Sequence, residues 1–183
     1  MATTTRAKAT EADLLNQPDD GYKYELVDGE IVRLSPGGFW HSAVCRRLAK
    51  ALGNFVDDRH LGEVLEGQAG FRLPGGNVRA PDVSFVAAKN VPAKAKRDDF
   101  AGIPPDLAVE VLSPGDRPRY MLDKVGEYLQ TGVRLVWVID PKRGKAVVHR
   151  SLSDVRELGP DDLLDGQDVL PGFRCRLRDL LYS

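Results

Sequence analysis

The sequence predicts one α/β domain with an N-terminal β-hairpin, and three observations predict it. Short apolar runs such as "DLAVEVLS" and "VRLVWVIDP" have strand length and little polar alternation, as strands at the centre of a covered sheet do. Two segments with a helical period, His41 to about Asp57 and Arg119 to Gln130, stand among those runs. No internal repeat, low-complexity tract or linker divides the 183 residues, so a single domain over 1–183 is expected, with its core at about 20–150.

The elements follow in order. In "TEADLLNQPDDG" Thr10 can cap a short helix, with Asp13 three residues later adding negative charge to the first turn. "YKYELVDGEIVRLSP" reads as two strands around Asp28-Gly29, a two-residue hairpin signal, and Pro36-Gly37-Gly38 ends the unit. In the first long helix Val44, Cys45, Leu48, Leu52 and Phe55 share one face, opposite Arg46, Arg47 and Lys50. Gly62 to Leu73 alternates weakly and predicts one strand. After the turn at Pro74-Gly75-Gly76-Asn77, "RAPDVSFVAA" predicts the next. A loop containing Lys89, Lys94, Lys96 and Arg97 leads to the strand that carries Glu110. The second helix ends at Gly132, "VRLVWVIDP" is stopped by Pro141, and "KAVVHR" pairs back across Lys142-Arg143-Gly144. The tail "LLDGQDVLPGFRCRLRDLL" holds a turn and a short final element.

Composition narrows the function classes. Hydrophobic residues make up 42% and charged residues 29%, the balance of a water-soluble folded domain. No apolar run approaches the roughly 20 residues of a membrane span, and "MATTTRAKATEADLL" lacks the apolar stretch of a signal peptide, so a cytoplasmic protein without membrane contact is expected. Two cysteines, Cys45 and Cys175, without CxxC spacing argue against a disulfide framework or a zinc site. The net charge of −1 supplies no global basic field. Phosphate binding would rest on local cations or a metal ion.

Two acidic residues interrupt the apolar runs: Asp82 in "APDVSFV" and Glu110 in "AVEVLS". A carboxylate there costs free energy unless its charge is compensated. Sequential strands are commonly neighbours, and two carboxylates brought together repel. A divalent cation such as Mg²⁺, held by one or two carboxylates plus water and phosphate, resolves the conflict. On the second helix Lys124 flanks the stripe of Met121, Val125, Tyr128 and Leu129, from where it can reach Glu110.

Asp82 after Pro81, Glu110 on the following strand and a nearby lysine resemble the PD-(D/E)XK nuclease superfamily. More closely, "YELVDGEIV", "SPGGFWHSAV", "APDVSFV", "PPDLAVEVLSP", Lys124 with Tyr128 and Gly132-Val133, and "VWVIDP" resemble, in order, the bacterial Uma-two family of restriction-endonuclease-like proteins. The resemblance implies a restriction-endonuclease-like core, a mixed central β-sheet flanked by helices. It also implies an endonuclease that hydrolyses phosphodiester bonds of DNA. Asp82 and Glu110 would hold Mg²⁺ or Mn²⁺ with the backbone carbonyl of Val111, and Lys124 would orient the attacking water or stabilise developing charge. The superfamily's usual strand lysine falls at Leu112 here, so its role passes to Lys124. The family's acid one turn before that lysine is replaced by Tyr120. Superfamily members often pair to cut two strands, which implies a possible homodimer.

Each of these residues also has a structural explanation. Asp82, Glu110 and Lys124 can form a buried salt-bridge network without catalysis, leaving a catalytically inactive nuclease-fold protein that binds nucleic acid or another protein. His41 can line a cleft or merely start a helix. Glu25 is an auxiliary acid or, by a slight margin, a surface strand residue, and Gln68 on the strand preceding Asp82 is equally open. The lysine-rich loop reads as solvated. Trp40 and Trp137 read as packing residues, although Trp40 beside His41 could line the cleft, and His60 and His149 read as structural or surface residues. No DNA-reading module is evident.

Overall fold

Side-chain alternation along one strand organises the layers. In the computed structural model, which describes residues 7–92 and 99–182, the first elements are α1 (Glu11–Leu15) and the strands β1 (Lys23–Val27) and β2 (Glu30–Leu34). Thr10 and Asp13 cap α1 reciprocally. Asp28 and Gly29 turn β1 into β2 with φ of 53° and 81°, the double positive φ of a tight hairpin turn. Next come α2 (Phe39–Asp57), β3 (Gly62–Glu66), β4 (Phe71–Arg72), β5 (Val78–Arg79), β6 (Val83–Ala87) and a 3₁₀ turn at Ala88–Asn90. The second half holds β7 (Leu107–Val111), α3 (Pro118–Gln130), β8 (Leu135–Asp140), β9 (Lys145–His149), β10 (Val155–Leu158), β11 (Leu163–Asp165), β12 (Arg174–Arg176) and α4 (Leu177–Leu181).

The main sheet has six strands in the order β10-β9-β8-β7-β6-β3. It is mixed: β7 and β8 run parallel, joined through α3, and its other pairs are antiparallel. Leu107, Val109 and Val111 of β7 point into one core with Leu135, Trp137 and Ile139 of β8, because alternate residues share a face. Val44, Leu48, Leu52 and Val56 of α2 cover that face, and Leu177, Leu180 and Leu181 of α4 join them. Trp137 stacks on Phe173 with ring centroids 6.0 Å apart. Ala108 of β7 with Val136 and Val138 of β8 faces the other way, into a second core closed by Met121, Val125 and Tyr128 of α3. Glu110, two residues after Ala108, falls on that α3 face.

A four-stranded sheet, β2-β1-β5-β4, lies on a small core of Leu14, Leu26 and Val78. The expected architecture, an α/β fold with a mixed central sheet flanked by helices and an N-terminal hairpin, is observed. Among the described residues, no helix is long and apolar enough to cross a membrane.

Three element boundaries differ from expectation, each for a local reason. The segment from Gly62 to Leu73 is two strands in two sheets. The chain turns after Glu66 and packs so closely at Gly70 that a Cβ there would lie 2.4 Å from the Phe100 ring. "RAPDVSFVAA" also splits, into β5 and β6, because Pro81 has no N–H for a ladder; Asp82 therefore precedes β6 instead of lying inside it. The edge strand β10 had no strong apolar signal, since its first three residues are exposed. Lys94, Lys96 and Arg97 lie outside the described residues, and Lys89 is an exposed residue of the 3₁₀ turn.

Gly62 starts the edge pairing of β3 on β6 with φ of 152°, and a Cβ there would lie 2.0 Å from the Val86 carbonyl oxygen. Gly62→Ala is expected to destabilise the fold by roughly 1–3 kcal/mol, the cost of a strained backbone position. Urea unfolding with an unchanged m-value would measure it.

Candidate active site

Glu110 anchors the site. It is buried on the α3 face of β7, and the hydroxyl of Tyr128 donates to its Oε1 at 2.7 Å. The Lys124 ammonium lies 2.8 Å from the same oxygen. Lys124 and Tyr128 are four residues apart on α3, so one helix face presents both groups. The two contacts converge on Oε1.

Lys124 is shared with a second carboxylate. Its ammonium donates to Oε1 of Glu25 at 3.1 Å, and Glu25 has no solvent exposure at all. The Ala80 amide donates to the same oxygen at 3.0 Å, and Arg79 donates to Glu25 Oε2 at 3.0 Å. Arg79 in turn binds Glu127 and donates to the Tyr120 hydroxyl. Glu25 is therefore no surface strand residue. Its partners come from the neighbouring strand β5 through Arg79, from Ala80 after it and from α3 through Lys124, all distant along the chain.

Asp82 stands at the open side. In β6 and β7 Val83 pairs with Val109, so continuing that register one residue sets Asp82 opposite Glu110. Its carboxylate leaves the strand pattern and accepts the Val111 amide at 2.9 Å through Oδ2. His41 Nε2 lies 3.1 Å from Oδ2, and Lys23 donates to Oδ1 at 3.1 Å and to the Ala80 carbonyl at 2.8 Å. Lys23 and Glu25 are alternate residues of β1 and share one face, which is why one strand supplies both a cation and an acid.

Burial opposes every one of these charges, and partners decide the outcome. Burial, followed by the Asp82 charge, raises the Glu110 pKa against the pull of Lys124. Burial works the same way on Glu25, but Lys124, Arg79 and Lys23 overcome it and keep its pKa low. At Asp82 burial is outweighed by the His41 hydrogen bond, Lys23 and the Val111 amide, which hold the carboxyl well below its usual range. Lys124 is pushed up by Glu110 and Glu25 in spite of its burial and stays charged. The hydrogen bond to Asp82 raises His41.

Cys45, one turn after His41, places Sγ 3.7 Å from His41 Nδ1. The line Cys45–His41–Asp82 has the order of a nucleophilic triad, but burial pushes the thiol up to about 12, so it is not an activated nucleophile. The ligand atoms of His41, Cys45 and Asp82 lie within 4.8 Å of one another.

The sequence-predicted residues Asp82, Glu110, Lys124, His41 and Glu25 thus meet, and Val111 enters through its N–H. Gln68 does not join them. It is exposed in the turn after β3 and lines a separate cavity with Leu65, Phe71 and Phe100. Lys23, Arg79 and Cys45 were not anticipated. Lys23 carried one usable signal, its position two residues before Glu25. Trp40 is 60% exposed instead of packed, whereas Trp137 is buried. His149 is buried and His60 exposed.

Asp82 and His41 give the site a pH signature. A lowered carboxyl pKa contributes stability above its unfolded value of 3.8 that is lost as pH falls. A raised imidazole pKa contributes stability below its unfolded value of 6.5 that is lost as pH rises through the folded one. The stability gap between wild type and Asp82→Asn is therefore expected to be widest between about pH 4 and pH 6.5 and to narrow on both sides. Urea titrations across that range would show it; a gap independent of pH would contradict the pairing.

Comparison with known proteins bears on the fold and the family. The chain is similar to a crystal structure from Anabaena variabilis ATCC 29413, described as "a putative nuclease belonging to DUF820". The TM-score is 0.81 and the identity 20%, with 94% of this chain and 97% of that chain covered. This likeness shows the fold. No curated protein matches the chain. The Uma2 family model, described as "Putative restriction endonuclease", matches residues 11–178. With the shared fold and nearly the whole chain matched, the protein belongs to the Uma2 family of restriction-endonuclease-like proteins.

Proposed function

We propose that this protein is a metal-dependent endonuclease that hydrolyses phosphodiester bonds of DNA. The observation that carries the reading is the placement of Asp82, one residue before β6, next to the register position of Glu110 on β7, with the buried Lys124 ammonium 2.8 Å from the second carboxylate. The residues fit a hard divalent cation. Both donors are carboxylates, and Glu110 makes its two contacts through Oε1 alone. Oxygen ligands of this kind suit Mg²⁺ or Mn²⁺. Asp82, Glu110 and the Val111 carbonyl would hold the ion, which when bound supplies Lewis-acid polarisation of a phosphate oxygen and a more acidic water.

The chain's own groups have separate tasks. Tyr128 and Lys124 hold Glu110 in one orientation, and Glu25 holds Lys124. The Lys124 ammonium stabilises negative charge developing on phosphate, as preorganised donors do. His41, hydrogen-bonded to Asp82, holds or releases a proton at Nε2 at the open side of the site. Lys23 neutralises Asp82 until a cation displaces it. The enzyme would act in the cytoplasm, and a homodimer would present two such sites to two strands.

A second reading has its own support. Lys23, His41 and the Val111 amide already satisfy Asp82, as they would in a catalytically inactive nuclease-fold protein that binds nucleic acid or a protein partner. Calorimetric titration with Mn²⁺ separates the two. Binding in wild type that disappears in both Asp82→Ala and Glu110→Gln is expected, with hydrolysis of plasmid DNA lost in the same variants. Equal heats in all three proteins would favour the inactive reading. Lys124→Met is expected to retain Mn²⁺ binding only if it folds. Removing one partner of a buried pair costs about 3–5 kcal/mol, so its stability is measured alongside.

A further inference from the structure

A groove of about 640 Å³ opens beside the carboxylates and shares His41 with them. It lies beyond the carboxyl ends of the parallel pair β7 and β8, where open α/β sheets place their ligands. Its walls are Leu112 and Pro114 after β7, Pro141 to Arg143 after β8, the start of α2, and Tyr182. Three aromatic side chains stand out into solvent: Phe39 at 80% exposure, Trp40 at 60% and Tyr182 at 63%. Phe39 and Trp40 meet edge to face at 5.4 Å, which braces the indole from one side. Tyr182 lies over the β8–β9 turn, where a Cβ on Gly144 would be 2.5 Å from its hydroxyl. These rings are held in place yet uncovered.

The charges along the groove select its occupant. Its two acids are engaged by backbone amides, Asp116 by Ser113 and Asp140 by Arg143. Lys142 makes no ion pair among the described residues and is exposed. Arg143 is 77% exposed and only 3.8 Å from Asp140. An unpaired lysine and a largely exposed arginine, joined only to Asp140, beside uncovered aromatic faces form the combination that holds an unpaired strand, with bases stacked on rings and phosphates on ammonium and guanidinium groups. An apolar peptide would leave Lys142 without a partner.

Building on the nuclease reading, we propose that this groove binds a single-stranded stretch of nucleic acid. Its unstacked bases lie against Trp40 and Tyr182, its backbone follows Lys142 and Arg143, and it leads to the Asp82–Glu110 pair past His41. The substrate class is then a frayed, flapped or single-stranded region rather than uninterrupted duplex.

Tryptophan emission tests this directly, because Trp137 is fully buried and only Trp40 can be reached. The full chain is titrated with oligothymidylate and with a duplex of equal length, in EDTA so that nothing is cut. The single strand is expected to quench the exposed component, with little effect from duplex, and Trp40→Phe to remove most of the change. By anisotropy of a labelled strand, Tyr182→Ala is expected to weaken binding roughly tenfold, the scale of one base–aromatic stack. Lys142→Ala with Arg143→Ala should lower the salt dependence. Failure to quench, an equal response to duplex, or a protein-concentration-dependent change without nucleic acid, marking a second copy in the groove, would overturn the inference. Strand binding that survives in a protein unable to bind Mn²⁺ would count against the nuclease reading alone. Mn²⁺ binding without strand binding would count against this inference alone.

Discussion

The architecture depends on one buried ammonium. Lys124 lies between Glu25 and Glu110, both nearly sealed from solvent, and its loss would leave two carboxylates facing each other across a dry interior. An ion pair of this kind returns little net stability, because the desolvation of three charges offsets most of their attraction. What it secures is placement. Glu25 belongs to the small sheet, Glu110 to the large one and Lys124 to the crossover helix, so the ammonium ties three separate layers to one point. Arg79 repeats the device one step outward by joining Glu25 to Glu127.

The charges around that point do not cancel. Glu25, Glu110, Glu127 and Asp82 are opposed by Lys124, Arg79 and Lys23, so one negative charge remains when His41 is neutral. Protonated His41 closes the balance, and its hydrogen bond to Asp82 is what raises its pKa. Two of the four acids reach solvent, Asp82 beside Lys23 and His41 and Glu127 beside Arg79, while Glu25 and Glu110 lie inside.

How much of this the sequence discloses follows from which contacts are local. The helices, the hairpin at Asp28-Gly29 and the buried runs of β7 and β8 follow from periodicity and turn chemistry within a few residues, and those features stand in the structure. Asp82 and Glu110 were legible because an acid in an apolar run is costly whatever surrounds it. Glu25 was legible only in part, as an auxiliary acid or a surface residue: in "KYELV" it alternates with Tyr24 and Leu26 as any exposed strand residue would, and only Arg79 and Lys124, far along the chain, decide between the two. Lys23 and Cys45 became site neighbours for the same reason, through contacts that span a hairpin, a helix start and a strand end. The exposure of Trp40 was equally hidden, since nothing adjacent in sequence states what fails to cover it.

The same charge pattern assigns the lysine its chemistry. A lysine serves as a base only when burial or neighbouring cations lower its pKa. Here two carboxylates raise it, so Lys124 has no tendency to take a proton near neutral pH. It can act only as a fixed positive donor. Leu112, where the superfamily's strand lysine usually stands, lies past the end of β7, lines the groove and packs partly buried against the α3-side core. Moving the ammonium onto α3 places it between two acids that keep it charged and still. The titratable group left at the open side is His41, its pKa raised by the Asp82 hydrogen bond, so under the proposed function proton chemistry and electrostatic stabilisation would belong to different residues on opposite faces of the sheet.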